Sequence, residues 1–157
     1  MQYDAPHRII SIADWVADSQ TPLYAPIPKE PESSGGLYRV FPWGINDPAL
    51  GNRTLEKAHV DTLASPVGWH TLVNSPATVN TTETIGNNVF AQENWVGDTE
   101  WEGHYRPNSG ASLVFDYEYS PRASDPDDAK DAAKQYINAS VTQLFYTANM
   151  VHDLYYR

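Results

Sequence analysis

The chain contains no cysteine, which excludes disulfide bridges, thiolate metal sites and cysteine nucleophiles together. Long aliphatic runs are missing too: no apolar stretch approaches the roughly 18 residues of a membrane-spanning helix. Cations are few. Ten Lys and Arg stand against twenty Asp and Glu, and the formal charge of −10 argues against nucleic acid and anionic membrane as partners, because both demand clustered basic residues. Met1-Gln2-Tyr3-Asp4 has neither the basic start nor the hydrophobic segment of an export signal. None of the five histidines, His7, His59, His70, His104 and His152, lies three to five positions from another, so the pattern of two His on one helix face that binds zinc is absent. No serine sits in a nucleophile elbow.

What the chain does have is proline, tyrosine and tryptophan, a composition that folds around aromatics and turns with much irregular backbone. Ile9, Ile10 and Ile12 open a buried strand that ends near Asp18. Residues 19 to 36 carry four prolines and then Ser-Ser-Gly-Gly, which forms neither ladder nor helix and reads as an exposed linker. Leu37 to Phe41 alternates as a short strand, and Pro42-Trp43-Gly44 and Asn46-Asp47-Pro48 turn the chain twice. Gly68-Trp69-His70 falls in a loop. A strand and a polar turn are expected over residues 87 to 94, an aromatic and acidic stretch over 95 to 105, and a strand over 113 to 119 with Val114 or Phe115 inward.

Asp125-Pro126-Asp127-Asp128 is a helix start, with a capping Asp, Pro in the first helical position and carboxylates at the positive end of the dipole. The helix either runs unbroken to Arg157 or breaks near Tyr136-Ile137-Asn138. Within Ala139 to Arg157, the apolar Val141, Leu144, Phe145, Ala148, Val151 and Tyr155 share one side and are expected to be buried. Thr142, Tyr146, Asn149, Asp153 and Arg157 share another side, expected to be wet or functional, with Asp153 in reach of Arg157. No Gly, Asn or Pro ends this helix, so a chain cut short is expected, with the apolar face of the last helix left uncovered.

His152-Asp153 is the most suggestive pair for chemistry, since a buried His oriented by a carboxylate is a recurrent catalytic device. Adjacent helical residues point about 100° apart, however, so a structural role inside a packed interface is expected. Asp47, Asp116 and Glu118 match no calcium-loop spacing. Asn52-Arg53-Thr54, Asn80-Thr81-Thr82 and Asn138-Ala139-Ser140 are N-glycosylation triplets. An aromatic-rich carbohydrate- or ligand-binding module is the alternative, and it requires Trp69, Trp95 and Trp101 on one open face.

Several stretches resemble the fungalysins, secreted fungal zinc metallopeptidases of thermolysin-like architecture. Tyr38-Arg39-Val40-Phe41-Pro42-Trp43-Gly44-Ile45-Asn46-Asp47-Pro48 is similar to the start of their mature catalytic domain, and Gly51-Asn52-Arg53-Thr54 to the segment that follows. Ala64 to His70, Gly86 to Gln92, Phe115-Asp116-Tyr117 and, most specifically, Gln143 to Asn149 with His152-Asp153-Leu154-Tyr155-Tyr156 match in order. Residues 9 to 18 resemble the family's propeptide tail.

The resemblance implies three segments: a propeptide C-terminal strand over 1–18, a Pro/Ser/Gly-rich linker over 19–36, and over 37–157 a truncated N-terminal part of a metallopeptidase catalytic domain. The implied fold is α+β, with short strands and long irregular loops followed by a long C-terminal helix. It implies Zn²⁺ as cofactor, held by a His-Glu-x-x-His helix and a further Glu of which no residue stands in this sequence, so no catalytic or zinc role is carried onto any position. His152 and Asp153 are then structural, or support a metal ligand from behind. Protein substrates, the absent C-terminal half of the domain as a partner, an extracellular location and a zymogen form are implied as well. The chain alone is expected to be inactive.

Overall fold

The computed structural model describes residues 35–74, 77–120 and 129–156. The expected propeptide strand, nearly all of the linker, the Asp125-Pro126 helix start and Arg157 lie outside the described residues.

The centre of the fold is a four-residue strand, β1 (Leu37–Val40). Its strict alternation sends Tyr38 and Val40 into the core, both fully buried, and turns Leu37 and Arg39 to the other face. β1 pairs antiparallel with β2 (Thr54–Lys57) and parallel with β5 (Val114–Phe115), giving a three-stranded sheet in the order β2-β1-β5. β3 (Thr71–Asn74) and β4 (Ala77–Asn80) form a separate antiparallel pair with Thr71 opposite Asn80 and Leu72 opposite Val79.

The expected strand over 37 to 41 and both turns after it are present. Ile45 N donates to Pro42 O at 3.1 Å to close the first turn, and the Asp47 carboxylate accepts from Ala49 N at 2.8 Å to cap the 3₁₀ turn Pro48–Leu50. The strand expected over 113 to 119 is only two residues long, with Phe115 inward and Val114 outward. Residues 87 to 94 hold no strand beyond the isolated bridge of Phe90 to Ile85. β2 and β4 escape hydrophobic-pattern analysis because they are largely exposed, and β3 because its four residues, with Thr71 buried and Val73 exposed, are too few to show a period.

The helical end breaks as one of the two alternatives anticipated: α1 (Ala129–Gln135) and α2 (Ile137–Tyr156) meet at Tyr136. There the Tyr136 hydroxyl donates to Ser120 O at 2.8 Å and its ring meets Tyr119 edge-on at 5.6 Å. α2 lies against β1. Side-chain Gln143 extends that contact by hydrogen-bonding both main-chain groups of Phe41, at 2.7 and 3.2 Å, as a neighbouring strand would.

The helix is rotated from the expected orientation. Thr142, Tyr146, Asn149 and Asp153, the side anticipated to be wet, are buried, whereas Leu144, Val151 and Tyr155 of the apolar stripe are 54, 38 and 82 % exposed. Val141 and Phe145 are buried as expected. The reversal is anchored by Asp153, which has several donors, and by Asn149 Nδ2, which donates to Phe145 O at 2.9 Å, while Thr142 Oγ1 and Asn149 Oδ1 are buried without a partner among the described residues.

The core is aromatic. Tyr38 has Trp69, His70, Phe115, Phe145 and Tyr146 around it with ring centres 5.3 to 6.2 Å away, and Val40, Ala58, Ala91 and Val141 fill the gaps. Burial pushes the Tyr38 phenol well above its ordinary pKa. Its hydroxyl donates to His70 Nε2 at 2.6 Å, and since His70 Nδ1 faces Glu83 O at 2.9 Å, the proton on His70 sits on Nδ1. Burial lowers the His70 pKa to about 4 against the opposing pull of the Glu83 carbonyl.

Candidate functional site

The loop residues 61 to 69 are tied to the last turns of α2 by a single carboxylate. Asp153 is buried, and on one side its Oδ2 accepts from Trp69 Nε1 at 2.9 Å and from Asp61 N at 3.2 Å. Its Oδ1 accepts from the Ser65 hydroxyl and from His152 Nδ1, the latter at 3.0 Å. Ser65 Oγ in turn accepts from Asn88 Nδ2 at 2.7 Å. Four donors on one carboxylate compensate its loss of water, which makes burial of the charge tolerable.

His152 and Asp153 therefore do touch, contrary to the expectation from helical geometry. Their backbones diverge by about 100°, but each side chain has two rotatable bonds, and swinging both toward the shared edge brings Nδ1 to Oδ1. The contact settles Nδ1 as the donor. The ring of His152, only partly covered, lies near-parallel to Tyr156 with centres 5.8 Å apart. Among the described residues no hydroxyl is hydrogen-bonded to Nε2, and the nearby Ser65 is bound to the carboxylate instead. The arrangement fits a structural knot. Asp153 spends its oxygens inward, and the partner Arg157 anticipated for it lies outside the described residues.

The other histidines among the described residues are dispersed. His59 is exposed, and His70 is in the core. His104 sits between two carboxylates, with Nε2 2.9 Å from Asp98 and Nδ1 3.4 Å from Glu93. Asp116 holds Arg39 through both oxygens, at 2.8 and 3.0 Å, and Asp47 caps its turn. Among the described residues no three His, Asp or Glu side chains converge to hold a metal ion. They do not fit a zinc site, and no step of catalysis is assigned to them.

Trp69 is only 2 % exposed, while Trp95 and Trp101 are 43 and 51 % exposed on the stretch from 92 to 106. Three tryptophans on one open face, the requirement of the binding-module alternative, are not found. Sequence reasoning missed Ser65 and Trp69 as partners of Asp153, and Asn88 as the donor behind Ser65. They lie 65 to 88 positions upstream in loops without periodicity; the family-like stretches Ala64 to His70 and Gly86 to Gln92 contain them, but no local pattern pairs them with Asp153.

Residues 37–157 match the family model described as fungalysin metallopeptidase (M36). Extracellular metalloproteinase 10 of Coccidioides posadasii is 48% identical over 119 residues, covering 76% of this chain and 17% of that protein. Extracellular metalloproteinase 1 of Arthroderma gypseum is 44% identical over 123 residues, 78% of this chain and 18% of its own length. Extracellular metalloproteinase MEP of Fusarium vanettenii is 36% identical over 151 residues, 96% of this chain and 19% of its own. The chain thus spans less than a fifth of the length of these relatives. With the strand, the turns after it and the Asp153-bearing helix all inside the matched residues, the chain belongs to the fungalysin metallopeptidase family.

Proposed function

We propose that this chain forms the N-terminal scaffold of the catalytic domain of a secreted zinc-dependent metalloendopeptidase that hydrolyses peptide bonds in extracellular proteins, and that these residues alone are inactive. The match to the fungalysin model over residues 37–157 carries this reading. The metal chemistry belongs to residues other than those described, since none of them converge on a zinc site. The role of this part is architectural. The sheet and the Asp153 knot hold α2 in place and leave Leu144, Val151 and Tyr155 facing outward, where the rest of the domain covers them. Residues 1–18 act as the end of a propeptide and 19–36 as the linker to be cut, which makes the whole protein a zymogen.

The test is a protease assay of the 157-residue chain with added Zn²⁺ and denatured casein. No hydrolysis is expected; hydrolysis quenched by a chelator overturns the inactive assignment. Reading the cDNA past the codon for Arg157 tests the class: a His-Glu-x-x-His segment is expected, and an uninterrupted reading frame of family length without one overturns it. The binding-module alternative is disfavoured by the burial of Trp69.

A further inference from the structure

The three glycosylation triplets differ in what the fold does with them. Asn138 lies in the first turn of α2, where its Oδ1 accepts from the Tyr105 hydroxyl at 2.6 Å. Residues two apart on a helix point about 200° from one another, so once α2 has formed the amide of Asn138 and the hydroxyl of Ser140 are held apart, and a glycan on Asn138 would displace its bond to Tyr105. Asn80 is exposed on β4, but both ends of its triplet are engaged: its Oδ1 accepts from Thr71 Oγ1 at 3.1 Å, and Thr82 Oγ1 donates to Asn108 Oδ1 at 2.9 Å.

Asn52 differs at the amide itself, the group that would carry the glycan. It is exposed in the extended stretch between the 3₁₀ turn Pro48–Leu50 and β2. Its side chain has no hydrogen-bond partner among the described residues, and Thr54, two positions on, is exposed as well, its hydroxyl donating only to the Glu56 carboxylate two residues further along the same strand. Beside Asn52 opens a shallow cleft of about 710 Å³ lined in part by Phe41, Arg53, Tyr117 and Tyr119. The guanidinium of Arg53 lies 5.5 Å over the Tyr119 ring and is hydrogen-bonded to the carbonyls of Arg39 and Tyr117. The wall of the cleft is thereby held in place, with room for the first sugars of a glycan.

We propose that Asn52 is the N-glycan acceptor of this protein and that Asn138 stays unmodified. The proposal rests on passage through the secretory pathway, as proposed above, and its test is arranged so that the two fail separately. The 157-residue chain is produced in a fungal host behind a foreign export signal and recovered from medium and microsomes. It is then treated with peptide N-glycosidase in heavy-oxygen water, and the peptides are read by mass spectrometry.

Heavy-oxygen aspartate is expected at position 52 with Asn138 unconverted, and Asn52→Gln and Thr54→Val should each abolish that conversion. An unmodified Asn52, a modified Asn138, or occupancy at Asn80 equal to or above that at Asn52 overturns the proposal. Because the foreign signal supplies export, these outcomes do not depend on the natural route. That route is read by blotting culture filtrate of the source organism.

Discussion

Gln143 on α2 closes a two-bond pairing with the backbone of Phe41, its Oε1 accepting from Phe41 N at 2.7 Å and its Nε2 donating to Phe41 O at 3.2 Å. A side chain stands where the next strand residue would, and it joins two parts of the chain 102 positions apart. Gln143→Ala leaves a half-buried N–H and C=O without partners and is expected to cost about 1–3 kcal/mol. Gln143→Glu keeps the acceptor and loses the donor, so its urea midpoint should fall between those of the wild type and the alanine variant. Equal midpoints for all three would refute the pairing.

Asp153→Ala removes the acceptor for Trp69 Nε1, Ser65 Oγ and Asp61 N at once. Stranding several buried donors is expected to cost about 3–5 kcal/mol, the range for breaking a buried charged network. Near-ultraviolet circular dichroism reports it through Trp69. Asp153→Asn keeps the shape but points an amide at donors, so it should recover only part of the loss.

His70 makes stability depend on pH. Its pKa is about 4 in the folded protein and near 6.5 when unfolded. The unfolded chain therefore takes up the proton first as pH falls. The contribution of neutral His70 is fully present above about pH 6.5 and is lost as pH drops from there toward 4. The loss approaches about 3 kcal/mol by linkage. In His70→Gln the decline between pH 6.5 and 4 should flatten relative to wild type, even though the variant is less stable at pH 7. An unchanged slope would mean that His70 does not titrate in this range.

Gly86 has no room for a side chain. A Cβ there would lie 1.8 Å from Trp69 O, and backbone cannot yield as a flexible side chain does. Gly86→Ala is expected to lower stability by more than about 3 kcal/mol, beyond ordinary overpacking. Gly110, at φ +64° with nothing within 4 Å, supplies the control, because Gly110→Ala carries only the left-handed penalty of about 1–2 kcal/mol.

Leu144, Val151 and Tyr155 form an outward apolar stripe, and exposed stripes drive association. The apparent mass of the 157-residue chain by static light scattering should rise with concentration, and Leu144→Gln with Val151→Glu should suppress that rise while leaving stability within about 0.5 kcal/mol, as surface changes do. A rise that persists in the double variant would place the sticky surface elsewhere.

Residue order alone determined the α+β class, the strand at Leu37–Val40, its two turns, the helical end and the family, because each depends on neighbours within a few positions or on ordered motifs. The family match extends to residues whose short strands β2, β3 and β4 are too brief, at four residues each, for hydrophobic periodicity to identify them. Which way α2 faces was not legible. Local periodicity placed Leu144, Val151 and Tyr155 inward, and the tertiary structure placed Thr142, Tyr146, Asn149 and Asp153 there instead.

The reason is that a carboxylate, an amide or a phenol belongs to the surface or to the core according to whether partners await it. Those partners, Asp61, Ser65 and Trp69 for Asp153 and His70 for Tyr38, come from distant loops. Only the folded chain brings them within hydrogen-bonding reach.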